Sequence, residues 1–159
     1  MKLNLGCGTK VFDDYINVDK GIFILKDGRK IEPDIICDLE EGLPFDDKTV
    51  EYIYADNVIE HIHDAMFFMQ ECHRVLKKGG RIRVITPHYR YHSSYNEPTH
   101  VHHFGELTIH HFTPIGFKIV ENRVYNRFIP LPIKRIFAGW YFPCIPTTID
   151  FTLEKEEER

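Results

Sequence analysis

Five places in this chain carry groups suited to ligand chemistry, and each closes a short apolar run. Leu3-Asn4-Leu5 breaks into Gly6-Cys7-Gly8, where small residues let a ligand approach the backbone amides. Tyr15-Ile16-Asn17-Val18 ends in Asp19, followed by Lys20. A carboxylate only accepts hydrogen bonds, so Asp19 suits a pair of ribose hydroxyls. Ile35-Ile36-Cys37 ends in Asp38, the run 50–55 in Asp56-Asn57, and the run 81–86 in Pro87-His88. A glycine loop between two strands, with an acid at the second strand's tip, is a nucleoside-binding pattern. The loop has no third glycine of the dinucleotide type and no phosphate-cradling Gly-Lys-Ser/Thr. Asp19 also comes sooner than the ~20 residues that follow a dinucleotide loop. A nucleoside without a pyrophosphate fits best. Alone, Gly-X-Gly reads equally as a tight turn and Asp19 as a solvated strand end; their joint placement carries the reading.

The chain holds ten histidines, and five of them (His88, His92, His100, His102, His103) crowd one segment after the fifth strand. Three readings stay open there. One histidine serves as a base or acceptor contact, with His100 and His88 the first choices. Alternatively the imidazoles hold a metal, or the segment is a polar, partly packed loop without chemistry. Spacing does not separate these, because no helix fixes the histidines on one face. No metal ligand is assigned.

The elements that must position these groups follow from periodicity. Runs 35–37, 50–55 and 81–86 read as strands three to five, after strands at Leu3-Asn4-Leu5 and residues 15–18. Residues 64–76 form the clearest helix, with Ala65, Phe68, Met69, Cys72 and Leu76 on one face. Asp64 caps its start, and Lys77-Lys78-Gly79-Gly80 closes it. Residues 9–14 leave room for at most one or two helical turns between the first two strands. Residues 20–34 read as loop, short helix or hairpin, with a turn at Asp27-Gly28. A short helix is expected at 106–112, a sixth strand at 117–124 and a last strand at 148–154. Strands alternating with helices or loops argue a single α/β domain over 1–159 with a mainly parallel sheet. In such sheets ligands bind beyond the carboxyl ends of the strands, where the five groups lie.

Composition sets bounds. At 159 residues, 43% hydrophobic and 28% charged, the chain suits one folded domain. A net charge of −4 is no footprint for nucleic acid. The four cysteines form no CxxC pair, so free thiols in a reducing cytoplasm are expected. No signal peptide and no membrane span are read.

The sequence resembles the class I S-adenosylmethionine-dependent methyltransferases, particularly small members. Four blocks carry the likeness. Leu3-Asn4-Leu5-Gly6-Cys7-Gly8 is similar to their first motif. Ile16-Asn17-Val18-Asp19 resembles the second strand with its ribose-binding acid. Leu43-Pro44-Phe45-Asp46-Asp47, continuing to Ile59-Glu60-His61, resembles the block around strand four. Glu71-Cys72-His73-Arg74-Val75-Leu76-Lys77-Lys78-Gly79-Gly80-Arg81 resembles the helix and turn before strand five. Together they cover about residues 1–87. Beyond that the likeness thins to Pro98-Thr99-His100 and Gly116-Phe117.

The resemblance implies a Rossmann-like fold with a sheet of the seven-strand type, an antiparallel last strand and shortened helices. It implies S-adenosyl-L-methionine as cofactor. Gly6, Cys7 and Gly8 would hold its methionine part and Asp19 the ribose hydroxyls, with Leu5 and Lys20 also cofactor-binding. Cys37, Asp38 and Leu39 would flank the adenine, Asp56 and Asn57 would line the floor near the sulfonium, and His61 would stand at the cofactor's edge. Against the family pattern, the chain lacks helices before the first strand and shortens the first crossover. That leaves the acceptor site more open, or completed by a partner subunit.

Residues 87–112 form a variable acceptor-side loop and short helix, and 127–147 an apolar insertion before the last strand. The stretch 128–145 opens at Phe128, closes at Ile145, and includes Trp140 and Tyr141 among many apolar residues. It reads as a lid, a homodimer contact or a shallow membrane contact. The expected activity is methyl transfer to an unidentified acceptor, a small molecule or glycan-type metabolite. Open alternatives are a non-catalytic cofactor-binding or scaffold protein and a metal-binding module built on the histidine loop.

Overall fold

Short apolar runs become strands in the computed structural model, which describes residues 1–128 and 144–156. In chain order these are β1 (Lys2–Leu5), β2 (Ile16–Asp19), β3 (Phe23–Ile24), β4 (Lys30–Ile31), β5 (Ile35–Ile36), β6 (Val50–Asp56), β7 (Leu76–Pro87), β8 (Phe117–Phe128) and β9 (Cys144–Lys155). Helix α1 spans Ala65–Val75 and the single turn α2 Ser93–Asn96, with 3-10 turns at Ile59–His61 and Thr108–Ile115. Seven strands form one sheet in the order β5-β2-β1-β6-β7-β9-β8. The pairs among β5, β2, β1, β6 and β7 are parallel, and β9 runs antiparallel to both its neighbours. This is the α/β Rossmann-like architecture expected from the sequence.

Among the described residues the sheet is covered mainly on one side. Ile82 and Val84 of β7, Ile53 and Ala55 of β6, and Ile149, Phe151 and Leu153 of β9 face Phe68, Met69, Cys72 and Val75 of α1 and Ile109 and Phe112 of the second 3-10 turn. Phe68, Met69 and Cys72 are fully buried; a large apolar side chain so placed contributes about 1.5–3 kcal/mol. Arg81 and Arg83 alternate to the other side of β7.

On that other side no crossover helix lies between β1 and β2. Residues 9–14 form a loop whose backbone groups are met by two buried amides. Asn4 Nδ2 donates to Lys10 O at 2.7 Å and to Asn17 Oδ1 at 2.9 Å. Asn17 Oδ1 accepts from Phe12 N, and Asn17 Nδ2 donates to Phe12 O and to Asp34 Oδ2. The rings of Phe12, Tyr15, Tyr52 and Tyr54 pack in tilted and edge-to-face pairs, centroids 5.2–6.3 Å apart, over the strands that a helix would shield. The loop stays within the bound of one or two helical turns read from its length, and an amide network and an aromatic cluster occupy the place of a crossover helix. Residues 20–34 resolve as the hairpin β3–β4, its turn at Gly28 with φ +85°.

Helix α1 starts as expected, with Asp64 Oδ1 accepting from Phe67 N at 2.8 Å. It ends at Val75, one residue earlier than read, and the glycine pair does not cap it. Its final carbonyls are taken from elsewhere. Lys48 N and Thr49 N donate to Arg74 O and Val75 O, and the buried Lys155 ammonium to His73 O and Leu76 O at 2.8 and 3.0 Å. A cation is favourable at this end of the helix dipole. Lys77-Lys78-Gly79-Gly80 instead form a bulge in β7, between the pairs Val50–Leu76 and Tyr52–Arg81. Strands β7, β8 and β9 run longer than read, and the expected 106–112 helix is the 3-10 turn Thr108–Ile115, with Pro114 inside it. Residues 129–143, which hold most of the 128–145 stretch and of the 127–147 insertion, lie outside the described residues, and so does the proposed subunit contact.

Candidate functional site

The carboxyl ends of β1, β2, β5, β6 and β7 bring most of the expected residues to one edge of the sheet. Gly6 and Gly8 both adopt left-handed backbone, φ +59° and +52°, and they do different work. A Cβ on Gly6 would lie 2.5 Å from Val58 Cγ2, so Gly6 lets β1's exit pack beneath the turn after β6. A Cβ on Gly8 would meet nothing within 4 Å, so its outer side is open. Gly8 N donates to Asp19 Oδ2 at 2.8 Å, and Cys7 N to Val18 O at 3.1 Å. The loop is therefore locked to the tip of β2. Asp19 is 8% exposed, and its second oxygen has no partner among the described hydrogen bonds.

Cys37 N donates to Asp19 O at 2.9 Å, which sets the β5 tip beside the acid. Asp38 is exposed and turns back on its own loop, accepting from Glu40 N at 3.1 Å. Leu5 and Leu39 are buried in the core, so at the rim Leu5 offers backbone only. Lys20 is exposed. Cys7 is buried, and that burial, with Asp19 nearby, pushes its thiol up to about 11, which keeps it protonated at neutral pH.

At the β6 tip, Asp56 is tied down on both oxygens. Lys10 Nζ donates to Oδ2 at 2.9 Å, Tyr54 OH to the same oxygen at 2.9 Å, and Asn57 Nδ2 to Oδ1 at 2.9 Å. Lys10 also donates to Tyr54 OH and lies over the Phe12 and Tyr54 rings. Sequence reasoning missed Lys10. It bridges the glycine loop's continuation to Asp56, and only the fold brings positions 10 and 56 together. Asn57 has φ +54°, and its N–H donates to Ile85 O at 2.8 Å. An asparagine held in that region is uncommon and marks a constrained turn.

Beyond Asn57 the first 3-10 turn carries Glu60 and His61. Glu60 is buried; its Oε2 accepts from Thr86 Oγ1 at 3.0 Å, and burial raises its carboxyl above the ordinary range. His61 is half-buried, and burial, then His100, lowers its imidazole, so it is neutral near pH 7. His100 stands against it, ring centroids 4.6 Å apart. His88, the other histidine expected to serve chemistry, sits elsewhere. It is 1% exposed, with Nε2 2.9 Å from Glu106 Oε2 and Nδ1 accepting from Arg90 N at 3.1 Å. Both its ring nitrogens are engaged in holding the loop. His63 reaches across the rim to Glu40, with N–H and Nδ1 3.0 and 2.8 Å from Glu40 Oε1.

The LPF block and the α1 motif form one clamp. Arg74 donates to Glu71 Oε1 and Oε2, Asp47 Oδ1, and the carbonyls of Leu43 and Phe45, all at 2.7–2.9 Å. Glu71 Oε2 also accepts from Leu43 N. These residues shape the loop leading into β6 and stand apart from the tips.

An open-sided glycine, an acid with an oxygen unpartnered among the described residues, and the hydrogen-bonded Asp56 thus lie together at this edge of the sheet. Among the described residues no helix is long and apolar enough to cross a membrane.

A family profile described as "Methyltransferase domain" matches residues 3–84, just over half of the chain. The Methanocaldococcus jannaschii protein MJ1123, itself of uncharacterised function, is 32% identical over 84 residues, 50% of this chain and 41% of that protein. The Rattus norvegicus mitochondrial ubiquinone biosynthesis O-methyltransferase is 35% identical over 51 residues, 32% of this chain and 15% of that enzyme. The matched stretch thus spans less than half the length of either curated relative. Among solved structures, a SAM-dependent methyltransferase from Archaeoglobus fulgidus superposes with a TM-score of 0.71 at 17% identity, covering 97% of this chain and 85% of that one. At that identity the likeness is one of fold. With the profile matched from β1 into β7 and the family's strand order in place, the chain belongs to the class I S-adenosylmethionine-dependent methyltransferase family.

Proposed function

We propose that this chain binds S-adenosylmethionine across the tips of β1, β2 and β6 and transfers its methyl group to a small-molecule or glycan-type acceptor. The observation that carries this reading is the pairing of Gly8 with Asp19: an open-sided glycine whose N–H fixes a buried acid with one oxygen to spare. In this assignment the 6–8 loop faces the methionine part, Asp19 with Lys20 receives the ribose hydroxyls, and Cys37, Asp38 and the backbone at Leu39 border the adenine. Asp56 and Asn57 form the floor, and His61 the edge.

When bound, the cofactor supplies an electrophilic methyl on a sulfonium. That chemistry would let an acceptor lone pair take the methyl, with the neutral thioether as the leaving group. The chain's contribution is to hold the two in line. A base is needed only if the acceptor must lose its proton early. His100 stands on the acceptor side, while His88 positions the loop through Glu106 and Arg90.

Calorimetry with S-adenosylmethionine and S-adenosylhomocysteine tests the binding, and labelled-methyl transfer into fractionated metabolites tests the reaction. Absence of binding to either compound at millimolar concentration would end the reading. Binding without transfer to any fraction would favour a non-catalytic binder, a second reading supported by the sheet face that carries aromatic side chains in place of a crossover helix.

A further inference from the structure

Glu60, His61 and His100 come from two segments, the turn after β6 and the loop after β7. One imidazole nitrogen of each histidine and a carboxylate oxygen of Glu60 lie within 4.8 Å of one another. Glu60 is 1% exposed and its Oε2 is held by Thr86. Its Oε1 is, among the described residues, the one buried side-chain polar atom without a hydrogen-bond partner. Native folds keep one where something else completes it, such as a bound ion.

The two histidines are oriented alike. His100 Nδ1 lies 3.0 Å from Ser94 O. His61 Nδ1 lies 3.2 Å from Thr99 O and 3.0 Å from Thr99 Oγ1, whose own proton goes to Glu97. A carbonyl only accepts, so each Nδ1 carries a proton, and in the neutral ring the lone pair for a metal is then on Nε2. Ligating histidines are held in this way, with the second ring N–H donated to a carbonyl or carboxylate. Glu60 is fixed through its backbone too, its carbonyl accepting from Val101 N and His102 N at 2.8 and 3.2 Å.

We propose that Glu60, His61 and His100 bind a divalent first-row transition metal through one carboxylate oxygen and two Nε2 atoms. Two histidines and one carboxylate are a donor set of open zinc sites and of non-heme iron(II) sites. Three protein ligands leave positions for water or for an oxygen of a bound molecule. The ion would also tie the acceptor-side loop to the β6 tip. This site does not depend on the methyl-donor assignment.

The test uses the full chain, stripped with chelator and titrated with Zn²⁺, Co²⁺ and Fe²⁺ in the absence of any nucleoside. One ion per chain is expected, with visible ligand-field bands for cobalt. X-ray absorption of the zinc form should show two imidazoles and one carboxylate in the wild-type protein, independently of any variant. His100→Ala and Glu60→Gln should each weaken binding by more than the ~10–100-fold that loss of an outer partner brings, and Thr99→Val by about 10-fold. His110→Ala, an exposed histidine outside the cluster, should leave affinity unchanged. Substoichiometric uptake of all three ions would overturn the proposal. So would a zinc spectrum without imidazole, or unchanged affinity in both His100→Ala and Glu60→Gln. Because no nucleoside is present, failure here leaves the methyl-transfer reading standing.

Discussion

Gly8 donates its N–H to Asp19 Oδ2 at 2.8 Å, so the glycine loop and the acid at the tip of β2 behave as one rigid unit. Asp19→Ala removes both this bond and the acceptor proposed for the ribose. Affinity for S-adenosylmethionine should fall by about 1.5–3 kcal/mol, the range for a hydrogen bond to a charged group. Calorimetry on the folded variant checks this, and an unchanged affinity would remove Asp19 from the site.

The two loop glycines should respond differently to alanine. Gly6→Ala places a Cβ 2.5 Å from Val58 Cγ2 in left-handed backbone, and about 2–4 kcal/mol of stability should be lost through strain and overpacking together. Gly8→Ala meets no atom within 4 Å and should cost only about 1–2 kcal/mol for its φ. Its larger effect should be on cofactor affinity, because the methyl would occupy the open side. Urea unfolding paired with binding measurements separates the two; equal stability losses would contradict the packing role given to Gly6.

Arg74 joins α1 to the loop ahead of β6 through three hydrogen bonds, to Leu43 O, Phe45 O and Asp47 Oδ1, and is braced by two more to Glu71 on its own helix. Arg74→Ala leaves the largely buried Glu71 without its counter-charge, and about 2–3 kcal/mol should be lost. The midpoint of urea unfolding reads this directly. Cofactor affinity should change little, since none of the clamp's described hydrogen bonds goes to a strand-tip residue.

Glu71 gives a pH signature for the same clamp. Its hydrogen bonds from Arg74, and then from Leu43 N, hold its carboxyl below the ordinary 4.5. The unfolded chain therefore binds more protons than the folded one in acid. The stabilisation is complete above about pH 4.5 and is lost as pH falls through the lowered folded value. Glu71→Gln should flatten stability over that acid window while lowering it at neutral pH. An unaltered acid slope in the variant would show that other carboxylates carry it.

Much of the frame was legible because it is written locally. Gly6-Cys7-Gly8, Asp19 and Asp56 each follow a short β-rich run, and α1 repeats its apolar face with Asp64 as cap. Less legible was whatever depends on distant partners. The Asn4–Asn17–Asp34 network that stands in for a helix joins residues far apart in sequence. Arg74 looked like one letter of a family motif, yet it organises residues 43–47 from the helix. The end of α1 was misread because Gly79-Gly80 is a strong local stop signal, whereas Lys48, Thr49 and Lys155 do the capping. His88 and His100 were indistinguishable as letters; burial and the engagement of both nitrogens set His88 apart.

The Lys155 ammonium on the last turn of α1 also bears on how the chain matures during translation. The helix is synthesised about eighty residues before the side chain that finishes it, and domains ordinarily begin folding from the N-terminal side as they emerge. Until residue 155 has cleared the ribosome, His73 O and Leu76 O lack that ammonium, and β7 lacks its partner β9. An arrested nascent chain cut before residue 144 should therefore hold β1, β2, β5 and β6 with a frayed α1, and would expose the unpaired edge of β7 to chaperones.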